Sequence, residues 1–141
     1  MKPESAKFVE QANIVLSRTD LMLSVNLNED AARSAYLASF HVAQAYIFER
    51  TGKISKSHQG VQTEFFRLTK DDPRVDHDLR RFLSQSYDFK SVADYSTGPD
   101  AVTSARDAYE AVATAKRFVA HFTSLVSIPS PAPQTGPKST P

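Results

Sequence analysis

Residues 31–50 decide the fold, and they read AARSAYLASFHVAQAYIFER. Apolar side chains recur there at intervals of three and four, which is the spacing of one face of an α-helix: Tyr36, Phe40, Ala43 and Ile47. The segment is also rich in small side chains, the alanines at 31, 32, 35, 38, 43 and 45, most of them outside that face. Because small residues let neighbouring helices approach closely, we expect this helix, over about residues 29–51, to be central in the domain. Gly52 is its predicted end.

The rest of the chain shows the same helical spacing on both sides of this segment. It predicts a first helix over about residues 4–25, a third from an N-cap at Ser57 to near Lys70, and a fifth over about residues 100–125. The fourth is predicted to start with Asp72 as cap and Pro73 in the first helical position, and to run to about Tyr95. Alternating polar and apolar runs typical of strands are absent. The fold expected is therefore all-α, an up-and-down bundle of about five helices.

The periodic apolar positions are the expected core of this bundle. They are Phe8, Ala12, Val15, Thr19 and Met22 in the first helix; Val61, Phe65 and Leu68 in the third; Val75, Leu79, Phe82, Ser86 and Phe89 in the fourth; and Val102, Ala105, Tyr109, Val112, Val119 and Phe122 in the fifth. Residues 127–141, SIPSPAPQTGPKSTP, hold five of the eight prolines. Proline at this density is incompatible with a helix. The expected organisation is one helical domain over residues 1–126 and a disordered Pro/Ser-rich tail over 127–141.

Composition excludes several classes of function. The chain of 141 residues has 17 Lys+Arg and 16 Asp+Glu, so its net charge of +1 cannot create a broad field for non-specific nucleic-acid binding. There is no cysteine, and no apolar run is longer than four residues, the length of Ala45 to Phe48. Neither a secretory signal nor a membrane span is expected, and a cytoplasmic location fits.

Cofactor and metal motifs are also missing from the sequence. None of the four histidines has a carboxylate three residues before it, as di-metal helical bundles require. There is no phosphate-binding loop after a strand, and no serine nucleophile motif. The sequence therefore predicts no metal site and no cofactor.

Three polar segments remain as candidates for function. Arg33 and His41 lie in an otherwise apolar helix, and Lys56 and His58 flank the predicted cap of the third helix, a position suited to anions. Lys90 and Asp94 share one helix face in the third segment, Lys90 to Tyr95. Each segment also has a purely structural interpretation: a helix-end arginine with a hydrogen-bonded core histidine, ordinary capping by Ser57, and a surface ion pair.

Taken in order, these segments resemble the HEPN family of small helical domains, in particular its short stand-alone branch in bacteria and archaea. The resemblance covers about residues 4–125. Its first motif, Arg-x-x-Tyr-x-x-x-Phe-His-x-Ala, is matched by Arg33, Tyr36, Phe40, His41 and Ala43. Its second, Lys-(Ser/Thr)-His-x-Gly-Val, is matched by Lys56, Ser57, His58, Gly60 and Val61. Its third, Arg-x-x-Ala-Asp-Tyr, is matched by Ala93, Asp94 and Tyr95, with Lys90 in place of the arginine.

The resemblance implies a bundle that commonly dimerises, with a polar cleft near the dimer axis. It implies RNA or nucleotide binding by Arg33, His41, Lys56 and His58, and a catalytic set of Lys90, Asp94 and Tyr95. Many family members are metal-independent RNases encoded beside a minimal nucleotidyltransferase that acts as antitoxin. Their active motif is an arginine followed four to six residues later by histidine. Here Lys90 replaces that arginine, and residues 94–96 include no histidine.

Two hypotheses of different classes follow. In the first, the chain is a dimeric RNA- or nucleotide-binding component of a toxin–antitoxin or defence module, paired with a nucleotidyltransferase and acting as a metal-independent RNase if it is active. In the second, the bundle is a non-catalytic dimerisation or protein-interaction module. The first depends on the three polar segments meeting in space.

Overall fold

The computed structural model describes residues 1–85 and 103–127, and this part of the chain contains five helical segments and no strand. They are α1 (Pro3–Ser24), α2 (Asn28–Thr51), α3 (His58–Thr69), α4 (residues 77–85) and α5 (Ala105–Ser127). The predicted all-α bundle is confirmed. The predicted continuation of helix four to Tyr95 lies outside the described residues. Ser127, the first residue of the predicted tail, still belongs to α5, and residues 128–141 lie outside the described part.

The central position of α2 is also confirmed, since α2 packs against α1, α3 and α5. All six of its alanines and its face of larger residues are buried. Four aromatic rings from three helices form the middle of the core: Tyr46, Phe65, Phe118 and Phe122. Phe65 lies 5.0 Å from Phe122 and 5.8 Å from Tyr46 between ring centroids. Rings at these separations attract one another beyond the area they bury.

Local sequence signals set most of the helix ends. Asn26, with φ of 62°, turns the chain between α1 and α2, and Gly52, with φ of 72°, ends α2 in the left-handed region that glycine adopts without strain. The Ser57 hydroxyl accepts the Gly60 N–H at 2.9 Å and so caps α3 as predicted. These short connections bring α2 and α3 side by side.

The predicted start of helix four at Asp72 and Pro73 is wrong. The Asp72 carboxylate binds the backbone N–H and the guanidinium of Arg74, each at 3.0 Å, and the chain turns there. The helix begins at residue 77, and the Asp76 carboxylate caps it by accepting the N–H groups of Asp78 and Leu79. Asp72 does not cap a helix because both of its oxygens are taken by Arg74 and by the Tyr46 hydroxyl, and a local side-chain to backbone bond of this kind closes a turn.

One part of the predicted core in helix five is also wrong. Ala105 is exposed, and Tyr109 is 66% exposed. The buried face instead follows Ala108, Val112, Ala115, Phe118, Val119, Phe122, Leu125 and Val126. Both series have helical spacing, and the observed one buries Phe118 in addition to Phe122, so it removes more apolar surface from water. Val102 lies outside the described residues.

Candidate functional site

His58 is held by Tyr36, and this contact joins the first two polar segments of the sequence. Tyr36 is fully buried in α2, and its hydroxyl lies 2.7 Å from Nδ1 of His58, the first residue of α3. The His58 ring also packs on Phe40, with centroids 4.9 Å apart. Because Tyr36 and Phe40 lie in the packed central helix, they hold the imidazole in one place.

Lys56 and Ser57 come immediately before His58, at the start of α3. Lys56 is exposed, whereas Ser57 bonds the Gly60 N–H. A Cβ added at Gly60 would lie 2.7 Å from the Ser57 Oγ, so the glycine makes room for this cap. The helix start therefore presents a lysine and an imidazole on a rigid backbone.

His41 is positioned by a second set of hydrogen bonds. Its Nδ1 lies 2.9 Å from Oε1 of Gln44, and Gln44 Nε2 donates to the Ser55 carbonyl at 2.8 Å. Gln44 is itself buried. The ring of His41 lies 6.0 Å from that of Phe40, which also contacts His58. The Phe40 ring thus contacts both imidazoles.

Arg33 lies further toward the start of α2. It donates to Asp30 at 3.3 Å and lines a surface cavity of about 280 Å³ together with residues 26–30 and Thr103. Neither His41 nor His58 is among the described residues that line this cavity. The predicted catalytic residues Lys90, Asp94 and Tyr95 lie outside the described residues.

A second polar cluster, which the sequence analysis did not single out, ties α2 to the segment before α4. Asp72 accepts the Tyr46 O–H at 3.0 Å and the Arg74 guanidinium at 2.9 Å, and Arg50 approaches it to 3.8 Å. The Arg50 guanidinium also stacks on the Tyr46 ring, 3.6 Å from its centre. We call Tyr46, Arg50, Asp72 and Arg74 the Asp72 cluster.

The protonation of the Asp72 cluster follows from burial and pairing. The hydrogen bonds from Arg74 lower the pKa of Asp72 to about 2, although its burial acts in the opposite direction. Burial raises the pKa of Tyr46 to about 12 and lowers the pKa of Arg50. Asp72 is therefore ionised and Tyr46 neutral throughout the physiological range, so this cluster is suited to holding structure rather than to moving protons.

A family model describes nearly all of this architecture. The HEPN domain model matches residues 5–125, which include His41, His58, the cap of α3 and the Asp72 cluster. The chain belongs to the HEPN domain family. HEPN domains are generally RNase or nucleotide-related modules. A comparison with curated proteins finds no match.

Two further observations concern what this HEPN domain could hold. In residues 1–85 and 103–127, His, Asp and Glu side chains nowhere gather in threes in a way that could bind a metal ion. No helix in the same residues is both long enough and apolar enough to cross a membrane.

Sequence reasoning missed Gln44 and the Asp72 cluster. Gln44 carried a signal, because it is a polar residue three positions after His41 in an otherwise apolar run. The sequence predicts Asp72 as a helix cap instead. Its partners Tyr46 and Arg50 come from another helix, so the local pattern does not reveal them.

Proposed function

We propose that this HEPN protein binds RNA or a nucleotide at the surface formed by His41, Lys56 and His58, with Arg33 as an additional phosphate contact. The protein acts as a homodimer in the cytoplasm, paired with a minimal nucleotidyltransferase in a toxin–antitoxin or defence module. No metal or cofactor takes part in this proposal.

The observation that carries the proposal is the 2.7 Å contact between Tyr36 and His58. It brings a motif of α2 together with a motif at the start of α3; Phe40 contacts both imidazoles, and the exposed Lys56 comes two residues before His58. A lysine and the first N–H groups of a helix favour phosphate, and imidazoles can bind bases and hydroxyls. The surface therefore has the chemistry that a nucleotide requires.

The catalytic version of the proposal assigns RNA cleavage to Lys90, Asp94 and Tyr95. Cleavage through the 2′-hydroxyl needs a base for its proton and a cation for the phosphate as charge builds. Lys90 supplies the cation, as a point charge without the bidentate fork of arginine. Asp94 accepts the proton or orients Tyr95. This version requires no metal ion.

Fluorescence anisotropy with a labelled single-stranded RNA tests the binding site. His58→Ala and Lys56→Ala should each weaken binding about fivefold, the effect of losing one hydrogen bond or phosphate contact. The matched controls are His77→Ala and Lys70→Ala, because both residues are exposed, Lys70 at the opposite end of α3 and His77 at the first residue of α4. Lys56→Ala should also reduce the salt dependence of binding, since it removes one phosphate contact.

Equal losses in the control variants would contradict the assigned site. Absence of binding by the wild type to RNA and to nucleotides alike would refute the function. In a parallel assay with EDTA present, Lys90→Ala and Tyr95→Phe should reduce cleavage. Equal cleavage by wild type and Lys90→Ala would exclude a catalytic role for that lysine.

A second function, non-catalytic dimerisation or protein interaction, is favoured by exposed apolar side chains. Ile14 and Leu21 in α1 and Val25 directly after its end are 44%, 68% and 56% exposed, at intervals of seven and four residues. Light scattering separates the candidates. If the wild type forms a dimer that Leu21→Glu abolishes and binds neither RNA nor nucleotides, association is the primary role, whereas joint loss of the dimer and of RNA binding supports a site that depends on the dimer. A wild type that is monomeric at micromolar concentration would refute both dimeric proposals.

A further inference from the structure

The buried side chain of Gln44 connects two groups of the proposed site. Its amide nitrogen Nε2 lies 2.8 Å from the Ser55 carbonyl, and its oxygen Oε1 lies 2.9 Å from Nδ1 of His41. Gln44 is only 6% exposed, so its amide has little freedom to turn. Ser55 is in the short connection before α3, next to Lys56 and three residues before His58.

The chemistry of the partners determines which way the amide points. A backbone carbonyl can only accept, so the NH₂ group of Gln44 must face Ser55, and Oε1 must face His41. An amide oxygen can also only accept, so Nδ1 of His41 must carry the proton of this hydrogen bond. In the neutral ring, Nε2 is then left with a lone pair and without a hydrogen.

Among the described residues, none bonds this Nε2 of His41. The His41 side chain is half-buried. An acceptor here can bind a hydroxyl or an N–H group of a ligand but cannot donate to a phosphate. The ribose 2′-hydroxyl is the donor that distinguishes RNA from DNA.

We infer that Gln44 is a positioning residue that fixes the tautomer of His41 with the proton on Nδ1, so that Nε2 accepts a hydrogen bond from a ribose 2′-hydroxyl. The assignment of the ligand rests on the proposed function, whereas the assignment of the tautomer rests on Gln44 and Ser55 alone. Gln44 itself does not touch the ligand.

Long-range ¹H–¹⁵N NMR of the imidazoles tests the tautomer directly, at a pH high enough for the rings to be neutral. Wild-type His41 should show a protonated Nδ1 and an unprotonated Nε2. Gln44→Leu, which keeps the volume but removes the acceptor, should shift His41 toward the Nε2-protonated form. Gln44→Glu loses the donor to the Ser55 carbonyl but keeps the acceptor toward His41, so Nδ1 should stay protonated. His41→Gln identifies the resonances.

A wild-type His41 protonated on Nε2 overturns the inference without any variant having to fold. Retention of the Nδ1-protonated form in folded Gln44→Leu overturns the role of Gln44.

The ligand is tested with RNA and DNA oligonucleotides of the same sequence. Wild type should bind RNA more tightly than DNA, and Gln44→Leu should weaken RNA binding about fivefold while leaving DNA binding unchanged. Equal losses for RNA and DNA would contradict recognition of the 2′-hydroxyl. If wild type binds neither RNA nor nucleotides, the proposed function and the ligand assignment fail together, and the NMR result still decides the positioning role.

Discussion

Replacing Asp72 by asparagine should destabilise the protein without altering its shape. The Asp72 side chain is 7% exposed, and it is the carboxylate shared by Tyr46, Arg50 and Arg74. Asparagine has nearly the same size but carries no charge. The substitution therefore leaves two guanidinium groups close together, one of which, Arg50, is only 10% exposed.

The magnitude follows from the pKa of Asp72. The carboxyl has a pKa of about 2 in the folded protein and an ordinary value of 3.8. Each unit of difference corresponds to about 1.4 kcal/mol, so the ionised carboxylate contributes about 2 kcal/mol to the free energy of unfolding near neutral pH. Because the folded pKa is depressed, this contribution is present above pH 3.8 and is lost as the pH falls through about 2. Leaving Arg50 unpaired adds to the cost, for a total of about 2–4 kcal/mol at pH 7.

Urea unfolding followed by far-UV circular dichroism measures this difference. The matched control is Asp78→Asn, because Asp78 also pairs with an arginine, Arg81, but is 87% exposed. Exposed pairs of this kind contribute little to stability, so the control should change the free energy of unfolding far less. If Asp72→Asn costs no more than Asp78→Asn, the reasoning from burial and pairing is refuted.

Three further predictions concern the caps and the core. Gly60→Ala should not raise the free energy of unfolding of the wild type, because its Cβ would lie 2.7 Å from Ser57 Oγ. In a Ser57→Ala background it should raise it by about 1 kcal/mol, because only the helix propensity of alanine then acts. Additive effects of the two substitutions in urea unfolding would contradict this. Gly52→Ala should lower the free energy of unfolding by about 1 kcal/mol through the left-handed backbone alone, because nothing lies within 4 Å of the added Cβ. Gly52→Asn should lower it less, and equal losses would argue against backbone strain. Phe65→Ala should lower the free energy of unfolding by about 3–5 kcal/mol, because it leaves a cavity among the core rings. A loss below about 1 kcal/mol would show that neighbouring side chains repack into that cavity.

Much of the fold could be predicted from short-range patterns. The spacing of Tyr36, Phe40 and the alanines of α2 indicated a central helix, because a helix places residues three and four apart on one face whatever lies around it. The stop at Gly52 and the cap at Ser57 followed from backbone preferences that act within one helical turn. These features needed no knowledge of any partner helix.

The two errors arose where competing local patterns were both acceptable. Asp72 followed by proline is a good helix start, but the carboxylate makes stronger contacts with Arg74 and with Tyr46, 26 residues away in the chain. Tyr109 has helical spacing with Val112, yet the face that is buried is the one that carries Phe118. In both cases the choice depended on groups brought close only by folding.

The amino-acid sequence by itself determined the helical class, the family motifs and the residue types of the candidate site. Only the tertiary structure decided that Tyr36 meets His58 across 22 residues of chain, and that Gln44 spans from His41 to Ser55. The physical reason is range: backbone preferences act over one turn of helix, whereas these hydrogen bonds depend on how α2 and the start of α3 pack together.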